Sequence, residues 1–224
     1  MDTLDYKEPI TKIYFVRHGQ TKANKERLLC GHLNIDLNKE GIKQSKRAAS
    51  RLSKVKADYI ISSPLKRAKH TARIIAVEAG FSAKGGPASG GKPASTALAQ
   101  IILDKNLIEK SEGLWEGKSY WEVRKDDPKS YKQWLKDPYR NRPPKGESVL
   151  DLDKRVKKFY KTVLKKYNGK KIIVVCHSGP IRLFILHLLK ANINKFWHLK
   201  VENGSITEIH LSKKHAMVWA VNRI

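Results

Sequence analysis

The sequence has little of what metal centres, disulfide scaffolds and membrane spans require. Only two of its 224 residues are cysteines, Cys30 and Cys176. They lie far apart and make neither a metal-ligand spacing nor a disulfide framework, so a reduced, cytoplasmic setting is expected. Long apolar runs are missing too. The strongest, Ile181 to Leu189, is interrupted by Arg182 and His187, whereas a span needs about 20 apolar residues; no membrane association is expected. The opening MDTLDYKEPI lacks a basic region followed by an apolar core, so no secretory leader is expected. There is no HExxH or comparable acidic-histidine cluster, and no metal or cofactor is expected. Acidic residues are scarce: 21 Asp and Glu against 46 Lys and Arg, a net charge of +25. Such a field attracts phosphorylated metabolites and, without sequence preference, nucleic acid or other polyanions. No RNP-like aromatic motif, zinc finger or basic repeat marks a dedicated nucleic-acid domain.

What is present is an alternation of strand-like and helical patterns, which predicts an α/β fold with a mainly parallel sheet. Ile13 to Val16 reads as a buried strand. Asn38 suits the N-cap of a helix to about Ser53, with Ile42, Ser45, Ala49 and Leu52 on one face. ADYIISS is a second strand, followed by Pro64 as a first-turn residue and a helix placing Leu65, Ala68, Ala72, Ile75 and Ala79 together. Ser82 to Thr96 contains no large apolar side chain. It buries too little to offset its ordering entropy, so a flexible insertion at about 82–97 is expected within one domain of residues 1–224. Structure is expected to resume over Leu98 to Leu107. Val149, Leu152, Val156, Phe159, Val163 and Tyr167 recur at helical spacing, with lysines on the opposite, solvated face. KKIIVVCHSG is a third strand, PIRLFILHLLK a buried helix, and GSITEIHL and AMVWAVN a final pair of strands.

Two of these strands end on a histidine at a glycine turn. Ile13 to Val16 runs into Arg17-His18-Gly19, and Ile172 to Cys176 into His177-Ser178-Gly179. In open α/β sheets, ligands bind outside the carboxyl ends of strands. Arg67, in the first turn after the second strand, faces the same edge. Arg17, His18, Arg67 and His177 can therefore converge on one cationic pocket, joined by N–H groups of helix N-termini. Such a pocket suits a phosphoryl group: arginine forks match its oxygens, and a neutral imidazole can attack phosphorus. Nearby arginines favour that neutral form. A leaving alkoxide also needs a proton, and LIEKSEGLWEG offers Glu109, Glu112 and Glu116; spacing alone does not choose among them.

The ordered blocks FVRHGQTKAN, SSPLKRAKHTA, LIEKSEGLWEG, KGES and VVCHSGPIR resemble the histidine phosphatase superfamily, the group that includes cofactor-dependent phosphoglycerate mutase. They run from about Lys12 to Arg182, and the tail VENGSITEIHL also fits. The resemblance implies a phosphoglycerate mutase-like three-layer α/β/α sandwich. It implies His18 as the nucleophile that becomes phosphohistidine, and Arg17, Arg67 and His177 as the phosphate pocket. Asn24 is implied as its amide contact, Gly31 and Ser178 as further substrate-binding positions, and Glu109 as proton donor and later base. Arg182 takes a supporting place. Glu147-Ser148 matches the family's GES segment, for which helix capping is an equally good reading. Two departures stand out: Cys30 replaces the threonine or glutamine common before Gly31, and the 82–97 insertion is atypical.

The expectation is a metal-independent phosphomonoesterase acting on a small phosphorylated metabolite through phosphohistidine. One alternative is a phosphoglycerate mutase-type phosphoryl transferase. The resembling mutases carry an adjacent arginine pair between the glutamate block and the second histidine; here Arg124, Arg140 and Arg142 make no such pair. A second alternative is a basic, non-catalytic polyanion binder, which the intact set of His18, Arg67, Glu109 and His177 argues against. Neither the substrate nor the oligomeric state is legible in the sequence.

Overall fold

The computed structural model describes residues 8–81, 101–212 and 214–224. Six strands form one sheet: β1 (Thr11–Arg17), β2 (Tyr59–Ser62), β3 (Ile101–Leu103), β4 (Lys171–Cys176), β5 (Ile206–Leu211) and β6 (Ala216–Arg223). Their order is β3-β2-β4-β1-β5-β6. The first four run parallel to their neighbours, while β5 is antiparallel to β1 and β6 to β5. The predicted final strand pair is thus a hairpin on the far side of β1.

Side-chain alternation gives the sheet two buried faces. Ile13 and Phe15 of β1, with Ile172, Val174 and Cys176 of β4, belong to one core. Over it lie α6 (Val149–Lys166) and α7 (Ser178–Leu188). Val16, Ile173 and Val175 belong to the other, under α2 (Lys39–Leu52) and α3 (Lys66–Glu78). The three-layer expectation holds. The five apolar positions anticipated within α6 are buried, each contributing about 1.5–3 kcal/mol of transfer free energy, and so is the sixth, Tyr167, at its C-cap. Asn38 caps α2 as expected, its Oδ1 accepting from the Gly41 N–H at 2.8 Å.

Some elements differ from the reading. Pro64 precedes the N-cap Leu65 and is not a first-turn residue of α3, whose buried face is Arg67, Ala68, Thr71, Ala72, Ile75 and Ala76. The loop after β1 contains a short helix, α1 (Lys22–Lys25). Two helices, α4 (Tyr120–Asp126) and α5 (Pro128–Lys136), fill a stretch with no predicted structure. Both carry readable start signals. Ser119 and Glu122 form a capping box, and Asp127 caps a helix that begins on Pro128, as expected of these residue types. Their apolar residues Val123 and Trp134 close a satellite cluster with Trp115 and Leu29. Ser148 is the N-cap of α6, so the capping reading of Glu147-Ser148 is the observed one. The anticipated insertion at 82–97, and the first residues of Leu98 to Leu107, lie outside the described residues. Among those described, no helix is long and apolar enough to cross a membrane.

Register explains why the two histidines matter. Arg17 pairs with Cys176 across parallel β1 and β4. The next residues, His18 and His177, therefore leave the sheet side by side, with the His18 N–H donating to the Cys176 carbonyl at 3.0 Å. Arg67 follows β2, and Glu109 follows β3 and a 3-10 turn at Lys105–Leu107. All four parallel strands deliver a candidate residue to one edge.

Candidate active site

At that edge a cavity of about 170 Å³ is lined by Arg17, His18, Asn24, Gly31, Arg67, Glu109 and Ser178, among others. A larger depression of about 520 Å³ lies along the outer side of α3, around His70 and Arg73. It contains none of the expected residues. Among the described residues no cluster of three or more His, Cys, Asp or Glu is placed to hold a metal ion.

The protonation of His18 follows from its two partners. Nδ1 lies 2.7 Å from the Gly19 carbonyl, which can only accept, so Nδ1 carries the proton. Arg67 Nε, which can only donate, lies 3.2 Å from His18 Nε2. Nε2 therefore keeps its lone pair. Burial, then the charges of Arg67 and Arg17, hold the imidazole's pKa well below its ordinary value. At neutral pH His18 is the neutral tautomer with Nε2 basic, as a nucleophile requires. The turn beyond it is tight. A Cβ on Gly19 would run into the backbone of Gly41, and the Gly19 N–H donates to Thr71 Oγ1 at 3.1 Å.

Arg67 is only 1% exposed. Besides holding His18, it donates through Nη1 to the Leu33 carbonyl at 2.7 Å and through Nη2 to the Gly31 carbonyl at 2.8 Å. Gly31, with φ of +41°, thus contributes a backbone acceptor that anchors Arg67. Arg17 donates through Nη1 to the Val201 carbonyl at 2.6 Å, while its Nε is buried without a partner among the described residues. Burial lowers its pKa to about 10, leaving it cationic at neutral pH.

His177 is fully buried edge-on to His18, ring centroids 5.1 Å apart. Its Nε2 is 2.8 Å from Ser63 Oγ, which the Leu65 N–H approaches at 3.4 Å. With one proton and two lone pairs, the Ser63 hydroxyl serves either tautomer of His177. The His177 Nδ1 has no partner among the described residues. Burial first, then Arg67, keep this imidazole neutral as well. Two buried nitrogens, Arg17 Nε and His177 Nδ1, thus lack partners among the described residues, at a cost of about 1–3 kcal/mol each.

Asn24 lines the cavity with its oxygen already engaged by Thr21 N, Thr21 Oγ1 and Asn203 Nδ2 at 3.1–3.2 Å; its amide N–H groups remain as donors. Ser178 differs from expectation. Its hydroxyl donates to Glu109 Oε2 at 3.1 Å, and the Gly179 N–H to the same oxygen at 3.2 Å. The N-terminus of α7 therefore holds the Glu109 carboxylate and is not an open anion site. A Cβ on Gly179 would meet the Glu109 carboxylate and the end of the Leu152 side chain, so any larger residue there displaces Glu109 or Leu152. The N-terminus of α3 is also engaged, the Lys66 N–H donating to Asn34 Oδ1 at 2.8 Å.

The three glutamates separate cleanly. Glu109 faces the cavity. Glu116 ties two loops, its Oε1 accepting from His32 N, Ser111 Oγ and Glu112 N at 2.8–3.2 Å. Glu112 lines the cavity but is paired with Lys110 Nζ at 2.6 Å. Cys30 also lines the cavity, and burial raises its thiol pKa. The sequence reading missed Lys110, Phe196 and Trp197, which line the cavity, and Ser63, which orients His177. It gave Arg182, also on the cavity wall, no substrate contact.

Comparison with known proteins fits this geometry. The family model of the histidine phosphatase superfamily (branch 1) matches residues 13–88 and 91–223. The chain belongs to the histidine phosphatase superfamily. Among histidine phosphatase relatives, phosphoserine phosphatase 1 of Hydrogenobacter thermophilus is 30% identical over 213 residues, covering 95% of this chain and 92% of that one. The adenosylcobalamin/alpha-ribazole phosphatase of Escherichia coli is 28% identical, covering 94% and 95%. The crystal structure of the alpha-ribazole phosphatase from Shigella flexneri superposes with a TM-score of 0.81 at 26% identity, covering 94% of this chain and 96% of that chain.

Proposed function

We propose that this histidine phosphatase hydrolyses phosphate monoesters of small metabolites, with His18 as the nucleophile. The observation that carries the reading is the site's donor balance. A neutral imidazole whose Nε2 lone pair faces Arg67 Nε stands beside two buried nitrogens without partners among the described residues, Arg17 Nε and His177 Nδ1. A phosphoryl group gives both an oxygen partner, with the His177 proton on Nδ1, and receives the lone pair in place of the Arg67 N–H. Arg17, Arg67, His177 Nδ1 and the Asn24 amide hold its oxygens and stabilise the charge that spreads over them in the transition state. A bond forms from His18 Nε2 to phosphorus as the ester oxygen departs, and that oxygen takes its proton from the Glu109 carboxyl group. Glu109 then takes a proton from water, which attacks the phosphohistidine. Orthophosphate leaves, His18 is regenerated, and the sum is ester plus water to alcohol plus phosphate.

The mutase reading needs a second anion site in the Glu109–His177 interval. Arg140 is paired with Asp137 at 2.9 Å, Arg142 is bidentate to Asp151 at 2.6 and 2.9 Å, and neither lines the cavity. This supports hydrolysis. The test is rapid quench of the enzyme with an aryl phosphate, followed by intact-mass measurement. A single added phosphoryl group is expected, mapped to His18 and missing in His18→Ala. Turnover in His18→Ala above a few per cent of wild type would refute the assignment.

A further inference from the structure

Four cations line the cavity, and three are accounted for. Arg17 and Arg67 are assigned to the phosphoryl group. Lys110, only 4% exposed, is closed into its ion pair with Glu112, so that pair offers no net charge. Arg182 remains. It lies on α7 four residues beyond Ser178, on the same helical face. Its Nε donates to the Leu199 carbonyl at 2.6 Å. Its guanidinium carbon lies 5.3 Å from the Phe196 ring centroid and 5.7 Å from that of Trp197. Stacking and the Nε bond hold the fork rigid, while both Nη groups lack an acceptor among the described residues. No carboxylate of these residues comes within 4 Å of it.

From this geometry we infer that Arg182 binds a carboxylate on the leaving half of the substrate, so that the enzyme selects small phosphorylated acids. The inference rests on the phosphatase reading and adds the substrate class. A rigid arginine edge matches a carboxylate bidentately. Its preorganisation lowers the ordering cost of that contact. A second phosphate fits less well: the first has two arginines and a histidine, and among the described residues lining the cavity one unpaired cation remains. Size points the same way. At about 170 Å³ the cavity is below the ≈ 300–1,000 Å³ of sites for drug-sized ligands. It suits a phosphoryl group on a three- or four-carbon acid better than a nucleoside phosphate.

The test uses substrate pairs differing at the carboxylate: 3-phosphoglycerate against glycerol 3-phosphate, and O-phosphoserine against O-phosphoethanolamine. In wild type, kcat/KM should favour the acid of each pair by about 10- to 100-fold, the range expected for a hydrogen bond to a charged group. Arg182→Met should bring both ratios to within about threefold of one, with Arg182→Lys between. Ratios near one in wild type would overturn the inference, as would ratios retained in Arg182→Met. So would 2,3-bisphosphoglycerate outperforming 3-phosphoglycerate through Arg182. The wild-type ratios decide the matter even if the methionine variant fails to fold. Loss of the phosphatase reading would show separately, as no His18-dependent hydrolysis of an aryl phosphate. Calorimetric binding of 3-phosphoglycerate and glycerol 3-phosphate to wild type and Arg182→Lys would then decide the carboxylate contact by the same ratio.

Discussion

Replacing Arg67 with glutamine should make His18 easier to protonate, by an amount that the geometry sets. Arg67 Nε lies 3.2 Å from His18 Nε2. With its charge spread over the guanidinium, about 4 Å from the ring, the repulsion opposing protonation is about 4 kcal/mol at an effective dielectric of about 20. That equals about 3 pK units. Burial, the larger cause of His18's depressed pKa, persists in the variant, as does the charge of Arg17. Water entering the vacated space screens part of the gain, so the expected rise is about 1–3 units. The sign is definite: protonated His18 cannot attack, so the acid limb of kcat/KM moves to higher pH. The change also deprives the Gly31 and Leu33 carbonyls of their donors. Losing a buried donor costs about 1–3 kcal/mol, a fall in Tm of roughly 2–12 °C for a chain of this size. Nitrogen-15 NMR of the histidine side chains reads the His18 midpoint directly, and the pH profile with an aryl phosphate gives an independent value. A midpoint unchanged or lowered in Arg67→Gln would refute the electrostatic account of the nucleophile.

Glu109→Gln should slow turnover of alkyl phosphates about 10²–10⁴-fold, the usual worth of a positioned acid or base. With 4-nitrophenyl phosphate, whose phenolate needs little protonation, a burst of about one equivalent should precede slow turnover as phosphohistidine accumulates; an absent burst with intact His18 would place the proton donor elsewhere. Stability should fall as pH drops below about 6.5. Burial, with Arg67 and Arg17 next, depresses His18 and His177 in the folded state. The unfolded chain therefore binds two more protons between the folded and unfolded pKa values, and up to about 2.7 kcal/mol is lost per pH unit. Urea melts at pH 7 and 5 measure this, and a His18→Gln, His177→Gln double variant with the same slope as wild type would refute it.

The catalytic edge was readable because it depends on neighbours close in sequence. A buried strand running into Arg17-His18-Gly19, and another into His177, fixes where those side chains leave the sheet once β1 and β4 are adjacent. The α6 stripe was readable for the same reason. Glu109, Glu112 and Glu116 were not separable by spacing, because the partners of Glu109 and Glu116, α7 and the loop at His32, are distant in sequence, which leaves Glu112 to its near neighbour Lys110. Ser178 was placed at the substrate site by the family resemblance; it lines the cavity, but its contact with Glu109 comes from a residue far off in sequence. Arg182 gave one usable signal, a lone cation in an almost wholly apolar helix. The stacking that aims it comes from Phe196 and Trp197, residues that the sequence does not link to it. Helices α4 and α5 were missed although their caps are plain, since few of their residues reach the core.

The adjacency of β1 and β4 also bears on how the molecule breathes. His18 hangs from a strand flanked on both sides, and its own amide is bonded to Cys176 while that of Arg17 is bonded to Ser205. Exposing those amides to solvent means separating the middle of the sheet, an opening that approaches global unfolding in free energy. His18 therefore belongs to the slowest-exchanging part of the protein, whereas the residues that steady Arg182 come from outside the sheet, Phe196 and Trp197 in the 3-10 segment Ile193–His198 and the Leu199 carbonyl just beyond it. Substitutions in that segment can therefore re-aim Arg182 without disturbing the strand pairing that places His18.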